Sequence, residues 1–134
     1  MKLLLDTHLL LWAAGGLPEL PLAAKKMIED PINELFFSSA SLWEISIKYG
    51  LGRADFQVDP QVLRWALFDN GYQEAVVTSL HATATATLPA IHNDPFDRML
   101  VSQAIAEGIT LLTCNSEIAK YEGPIKKFKA ANKR

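Results

Sequence analysis

DPFDRMLVSQAIAEGITLLT, residues 94–113, holds a helix with both ends marked and, straight after it, a strand. Asp94 can cap the helix, Pro95 takes its first turn, and Asp97 stands at the third position. Gly108 stops it. Ile109–Thr113 is then a short apolar run, the pattern of a strand covered on both faces. A strand of that kind belongs to a parallel sheet between helical layers.

The same alternation extends toward both ends of the chain. Lys2–Leu5 reads as a buried strand, followed by a helix over Thr7–Ala14 that Gly15-Gly16-Leu17-Pro18 ends. Leu22–Asp30 reads as a helix stopped by Pro31, and Glu34–Ser38 as a second strand. Ser38 or Ser39 caps a helix over Ala40–Tyr49, with Gly50 behind it. After a loop over 51–59 comes a helix over Pro60–Asp69, capped by Asp59. Glu74–Val77 is a third strand. Ser79–Thr87 is a helix of modest propensity, since threonines interrupt its alanines. A last extended piece falls near Gly123–Ile125. The expected fold is an α/β domain: a three-layer α/β/α sandwich with a mainly parallel central sheet. It spans 1–134 as one unit, with 126–134 as a basic C-terminal tail.

With 49% hydrophobic residues, the 134-residue chain can supply one core. No apolar stretch reaches the ~20 residues needed to span a membrane. Asp6 breaks the N-terminal apolar run too early for a secretory leader. Cys114 is the only cysteine, so a reducing, cytoplasmic setting is expected. The net charge of −2 argues against a nonspecific nucleic-acid coat. Yet Lys126, Lys127, Lys129, Lys133 and Arg134 crowd the C-terminus without an acid among them. They read either as a solvated tail or as a phosphate-contacting arm.

In open α/β sheets, ligands gather beyond the carboxyl ends of the strands. Asp6 ends the first strand, Glu44 lies in the first turns after the second, and Asn115 follows the fourth. Asp97 joins them if its helix starts at the same edge. At 3.6 residues per turn, Asp97 shares a stripe with Leu100, Val101 and Ala104, so it faces the top of the core. Glu44 borders the stripe Ala40, Trp43, Ile47 and Leu51, expected to be the buried one. A carboxylate is costly in such a place, and a divalent cation is one compensation. Such an ion activates water and steadies charge on a phosphodiester.

Each acid also has a simpler reading. Asp6 can cap its helix, Glu44 can pair with Lys48, and Asp97 can complement the helix dipole. Capping explains Asp94 fully. His8, His81 and His92 are scattered and read as structural or exposed. Leu42, Ile45 and Tyr49 form a second apolar stripe, which suggests burial against another chain. No GxxxxGK[ST] loop, GxGxxG or GxSxG elbow occurs.

Three segments together resemble PIN-domain proteins, and most closely the VapC-like toxins of bacterial toxin–antitoxin pairs. They are Leu-Leu-Leu-Asp-Thr-His at 3–8, Ser-Leu-Trp-Glu-Ile-Ser-Ile-Lys at 41–48, and His-Asn-Asp-Pro-Phe-Asp-Arg-Met-Leu at 92–100. The resemblance implies Mg²⁺- or Mn²⁺-dependent cleavage of RNA, a homodimer, and a small antitoxin covering the active site. It assigns Asp6, Glu44 and Asp97 as the catalytic, metal-holding carboxylates, with Asp94 a nearby acid. The fourth family carboxylate falls in Leu112-Thr113-Cys114-Asn115, where this chain carries an amide. An amide oxygen can ligate a hard cation but brings no charge. Arg98, Lys126 and Lys127 are candidates for phosphate contacts. The rival reading is a catalytically silent RNA- or antitoxin-binding module, because of Asn115. A phosphatase using Asp6 as nucleophile would expect an aspartate where His8 stands.

Overall fold

The computed structural model describes residues 1–131, so Lys133 and Arg134 of the expected tail lie outside the described residues. The described residues form five strands: β1 (Lys2–Leu5), β2 (Glu34–Ser38), β3 (Gln73–Ala75), β4 (Thr110–Thr113) and β5 (Ile125–Lys127). Six helices accompany them: α1 (Thr7–Gly15), α2 (Leu22–Glu29), α3 (Ser39–Gly50), α4 (Pro60–Asp69), α5 (Ser79–Ala84) and α6 (Pro95–Glu107). The strand order is β3-β2-β1-β4-β5, and every neighbouring pair is parallel. The chain first builds outward from β1 through β2 and β3, then returns to lay β4 and β5 on the other side. The reversal falls between β1 and β4, where such a sheet opens a crevice past its strand ends.

Side-chain alternation divides the core between two layers. Leu3, Leu5, Phe37 and Leu112 pack with Leu9 and Leu10 of α1, Ala24 of α2, Ile45 of α3, and Leu63 and Leu67 of α4. Leu4 and Leu111 pack with Leu100, Val101 and Ala104 of α6. Each fully buried leucine contributes about 1.5–3 kcal/mol. Buried Gln103 fixes α6 against the sheet. It accepts from Ser38 Oγ at 2.6 Å and donates to the Ala75 carbonyl at 3.0 Å. Ser102 Oγ ties α6 to α5 by donating to the His81 carbonyl at 2.7 Å.

Local chemistry sets the helix ends. Asp6, Ser38, Asp59 and Asp94 cap α1, α3, α4 and α6 through their side chains. Gly16 (φ 62°) and Gly108 (φ 65°) close α1 and α6 in the left-handed region, which costs glycine nothing. Among the described residues, no helix is long and apolar enough to cross a membrane.

Three expectations need correction. The buried face of α3 runs through Ala40, Ser41 and Ile45, while Trp43 (64% exposed), Ile47 and Leu51 face outward. The two stripes are similarly apolar, so periodicity could not choose between them; packing of Ile45 among Leu5, Leu9 and Leu63 does. The apolar excess therefore lies on the stripe expected to face the core, and Ile45 is a core residue. Second, α5 tightens into a 3₁₀ turn at Thr85–Thr87 instead of continuing as α-helix. Third, β5 starts two residues later than expected. It draws Lys126 and Lys127 into the sheet edge, and Phe128 behind them is buried, its N–H donating to the Thr113 carbonyl at 2.8 Å.

Candidate active site

Asp6 leaves β1 at the switch point and is almost wholly buried. Its Oδ1 accepts from the Leu9 N–H at 2.9 Å, as the cap of α1. Its Oδ2 accepts from Thr113 Oγ1 at 2.5 Å, across the β1–β4 pairing. The Thr113 hydroxyl is itself aimed, because it accepts from the Asn115 N–H at 2.9 Å. Burial pushes the Asp6 carboxyl up to about 6. The two hydrogen bonds and nearby His8 oppose the shift, while the charge of Asp97 adds to it.

Asp97 occupies the first turn of α6. Its carboxyl is also raised, first by burial and then by the charges of Asp94 and Glu44, against the hydrogen bond from His92. Asp94 works as the helix cap, its Oδ1 accepting from the Phe96 N–H at 2.8 Å and the Asp97 N–H at 3.0 Å. Glu44 does pair with Lys48, at 3.3 Å through Oε2. That leaves Oε1 buried with no hydrogen-bond partner. Trp43 and Phe96, the residues before Glu44 and Asp97, meet edge to face with ring centroids 5.3 Å apart, joining α3 to α6.

Asp6, Glu44, Asp94 and Asp97 thus form one electrostatically connected cluster beside the switch point. Among the described residues, no three of the His, Cys, Asp and Glu side chains form a ready-made metal cage. Mg²⁺ commonly keeps several waters and takes only one or two carboxylates directly, so an open cluster suits it. The orphaned Glu44 Oε1 and the raised carboxyls of Asp6 and Asp97 are what a hard cation would relieve. The residues present fit such an ion.

The other candidates fall elsewhere. Asn115 lies just past β4, but its Oδ1 accepts from the Glu117 N–H at 2.7 Å and the Ile118 N–H at 3.4 Å, holding the next turn. The Arg98 guanidinium is turned inward to the protein's own carbonyls and the Tyr121 hydroxyl. Lys127 lies in register with Thr113, and its charge bears on Cys114, whose thiol burial and Asp6 push up. Lys126 Nζ sits 5.5 Å from the centroid of the Phe128 ring. His8 stacks on Trp12. His81 is buried between the Thr78 N–H and Glu107.

Sequence reading missed two residues. Thr113 could have been found from strand register, because the threonine ending β4 falls opposite the residue just past β1. His92 carried no such signal, since its contact with Asp97 depends on how the loop before α6 folds back.

A three-layer parallel sandwich with acids gathered at its switch point defines an α/β domain built around an acidic site. The chain belongs to the PIN domain family, whose profile matches residues 3–124. It is 28% identical over 123 residues to Ribonuclease VapC22 of Mycobacterium tuberculosis, covering 90% of this chain and 92% of that protein. Two solved structures share the fold. One is VapBC2 from Rickettsia felis bound to a promoter DNA fragment (TM-score 0.69, 17% identity, 95% of this chain and 98% of that one). The other is DNA-bound VapBC from Salmonella typhimurium (TM-score 0.66, 18% identity, the same coverages).

Proposed function

We propose that the protein is a VapC-like endoribonuclease, the toxin of a toxin–antitoxin pair, acting with Mg²⁺ or Mn²⁺. The observation that carries this is that burial raises the carboxyls of both Asp6 and Asp97, with Glu44 Oε1 buried and unpartnered. Asp6, Glu44 and Asp97 would hold the ion. When bound, it supplies an activated water and neutralises charge on the scissile phosphodiester.

The chain's own residues do the rest. Thr113 and the N-terminus of α1 hold Asp6 in one rotamer. The Asp94 cap fixes the turn that carries Asp97. Lys127, in register with Thr113 at the sheet edge, is placed to serve a phosphate, with Lys126 next to it. The exposed Trp43 and Ile47 support a homodimer. The solved relatives are VapBC complexes, which supports a cognate antitoxin as partner.

Purified protein is expected to cleave a mixed RNA pool with Mg²⁺ or Mn²⁺ and to stop with chelator. A well-folded, partner-free protein inert under every metal would instead support the silent binding module. Asn115→Asp adds a charge while keeping an oxygen for the turn. It is expected to tighten Mn²⁺ binding by roughly 10-fold in calorimetric titration, as added ligand charge does at hard-cation sites. Unchanged affinity would mean that position 115 does not address the ion.

A further inference from the structure

His92 lies in the loop before α6, two residues ahead of the helix cap, and its ring approaches Asp97: Nε2 is 2.8 Å from Oδ2. An isolated, exposed ion pair would be worth little. This contact differs because the loop behind the ring is anchored. The His92 N–H donates to the Tyr121 hydroxyl at 3.0 Å. Arg98 donates to that hydroxyl at 3.0 Å, to the Pro89 carbonyl at 3.0 Å and to the Thr85 carbonyl at 2.8 Å. Tyr121 is itself buried in the core beneath α6.

The ring is not needed to start the helix, since Asp94 accepts the N–H groups there. Nor does it fill the core, because it stays partly exposed. What it does is engage one oxygen of a carboxylate at the acidic cluster. To donate to ionised Asp97, Nε2 must carry the proton. One donor held in place selects one carboxylate orientation and removes the freedom the side chain would otherwise lose on taking up an ion. Ligating carboxylates are commonly oriented by such outer partners, and losing one typically costs 10–100-fold in metal affinity.

We propose that His92 is a positioning residue: clamped at its backbone by Tyr121 and Arg98, it presents the Asp97 carboxylate to a divalent cation. The proposal rests on the metal-site reading above and goes beyond it by naming the residue that preorganises the site.

Titration of the full chain with MnCl₂, alongside thermal melts, tests it. His92→Phe keeps a ring without the donor and is expected to bind Mn²⁺ about 10–100-fold more weakly. His92→Gln places an amide N–H near the Nε2 position and is expected to restore most of the affinity. His92→Asn is equally polar but too short to reach Asp97; it is expected to behave like His92→Phe and carries the test if that variant folds poorly. Tyr121→Phe, which frees the His92 N–H, is expected to fall between. A purely structural histidine would shift the melts of the variants without this order of affinities. Wild-type affinity in both His92→Phe and His92→Asn overturns the proposal. If the wild-type chain itself binds no Mn²⁺, the metal-site reading fails, and the proposal with it.

Discussion

Asp6→Asn is expected to reduce metal-dependent RNA cleavage by on the order of 10³-fold or more, about 4 kcal/mol of transition-state stabilisation. It is also expected to make the metal-free protein more stable at neutral pH. The sign follows from proton uptake. The folded carboxyl titrates near 6 and the unfolded one near 3.8, so the folded state holds the extra proton between them. The contribution of Asp6 to stability is therefore fully present below about pH 4 and is lost as pH rises through 6. The loss is on the order of 3 kcal/mol. Asparagine escapes that loss and still caps α1 well. In chelator, the variant's advantage in urea midpoint should open between pH 4 and pH 6 and then stay flat. Mn²⁺ should narrow the gap by stabilising wild type alone. An advantage that does not depend on pH would contradict the assignment, as would full cleavage activity in the variant.

Arg98→Ala is expected to act on stability rather than on RNA affinity. Besides the Pro89, Thr85 and Tyr121 acceptors, the guanidinium lies 3.4 Å from the Leu88 and His92 carbonyls. Removing it strands several half-buried acceptors, at about 3 kcal/mol or more, a melting shift of about 10 °C. Arg98→Lys should recover little, because an ammonium cannot reach so many carbonyls in one plane. If Arg98 instead held phosphate, Arg98→Ala would melt like wild type and show a shallower salt dependence of RNA binding, and Arg98→Lys would largely restore that slope. Thermal melts and binding across a salt series separate the two.

The contrast between Asp6 and Arg98 shows what the sequence could tell. Asp6 was legible because a strand end, a helix cap and a switch point all converge on one residue. Asp97 was legible from helix geometry, since its stripe partners Leu100, Val101 and Ala104 are buried as expected. Arg98 looked like a phosphate ligand because sequence gives its charge but not its direction, and the carbonyls it serves belong to a loop with no periodicity. His92 was invisible for the same reason. On α3, two stripes of similar hydrophobicity left the choice of face to Ile45's neighbours in other elements. Local chemistry, in caps and strand runs, could be read; pairings set by the packing of distant segments could not.

The hydrogen bond between Asp6 and Thr113 joins residues 107 positions apart. At typical synthesis rates, roughly 5–20 s separate their emergence on the ribosome. Until then the central strand lacks its second neighbour, and the crevice has only one wall. An unfinished chain thus carries all four acids of the cluster without a place to assemble them. The wall that completes the crevice beside Asp6 is among the last parts of the fold to be made.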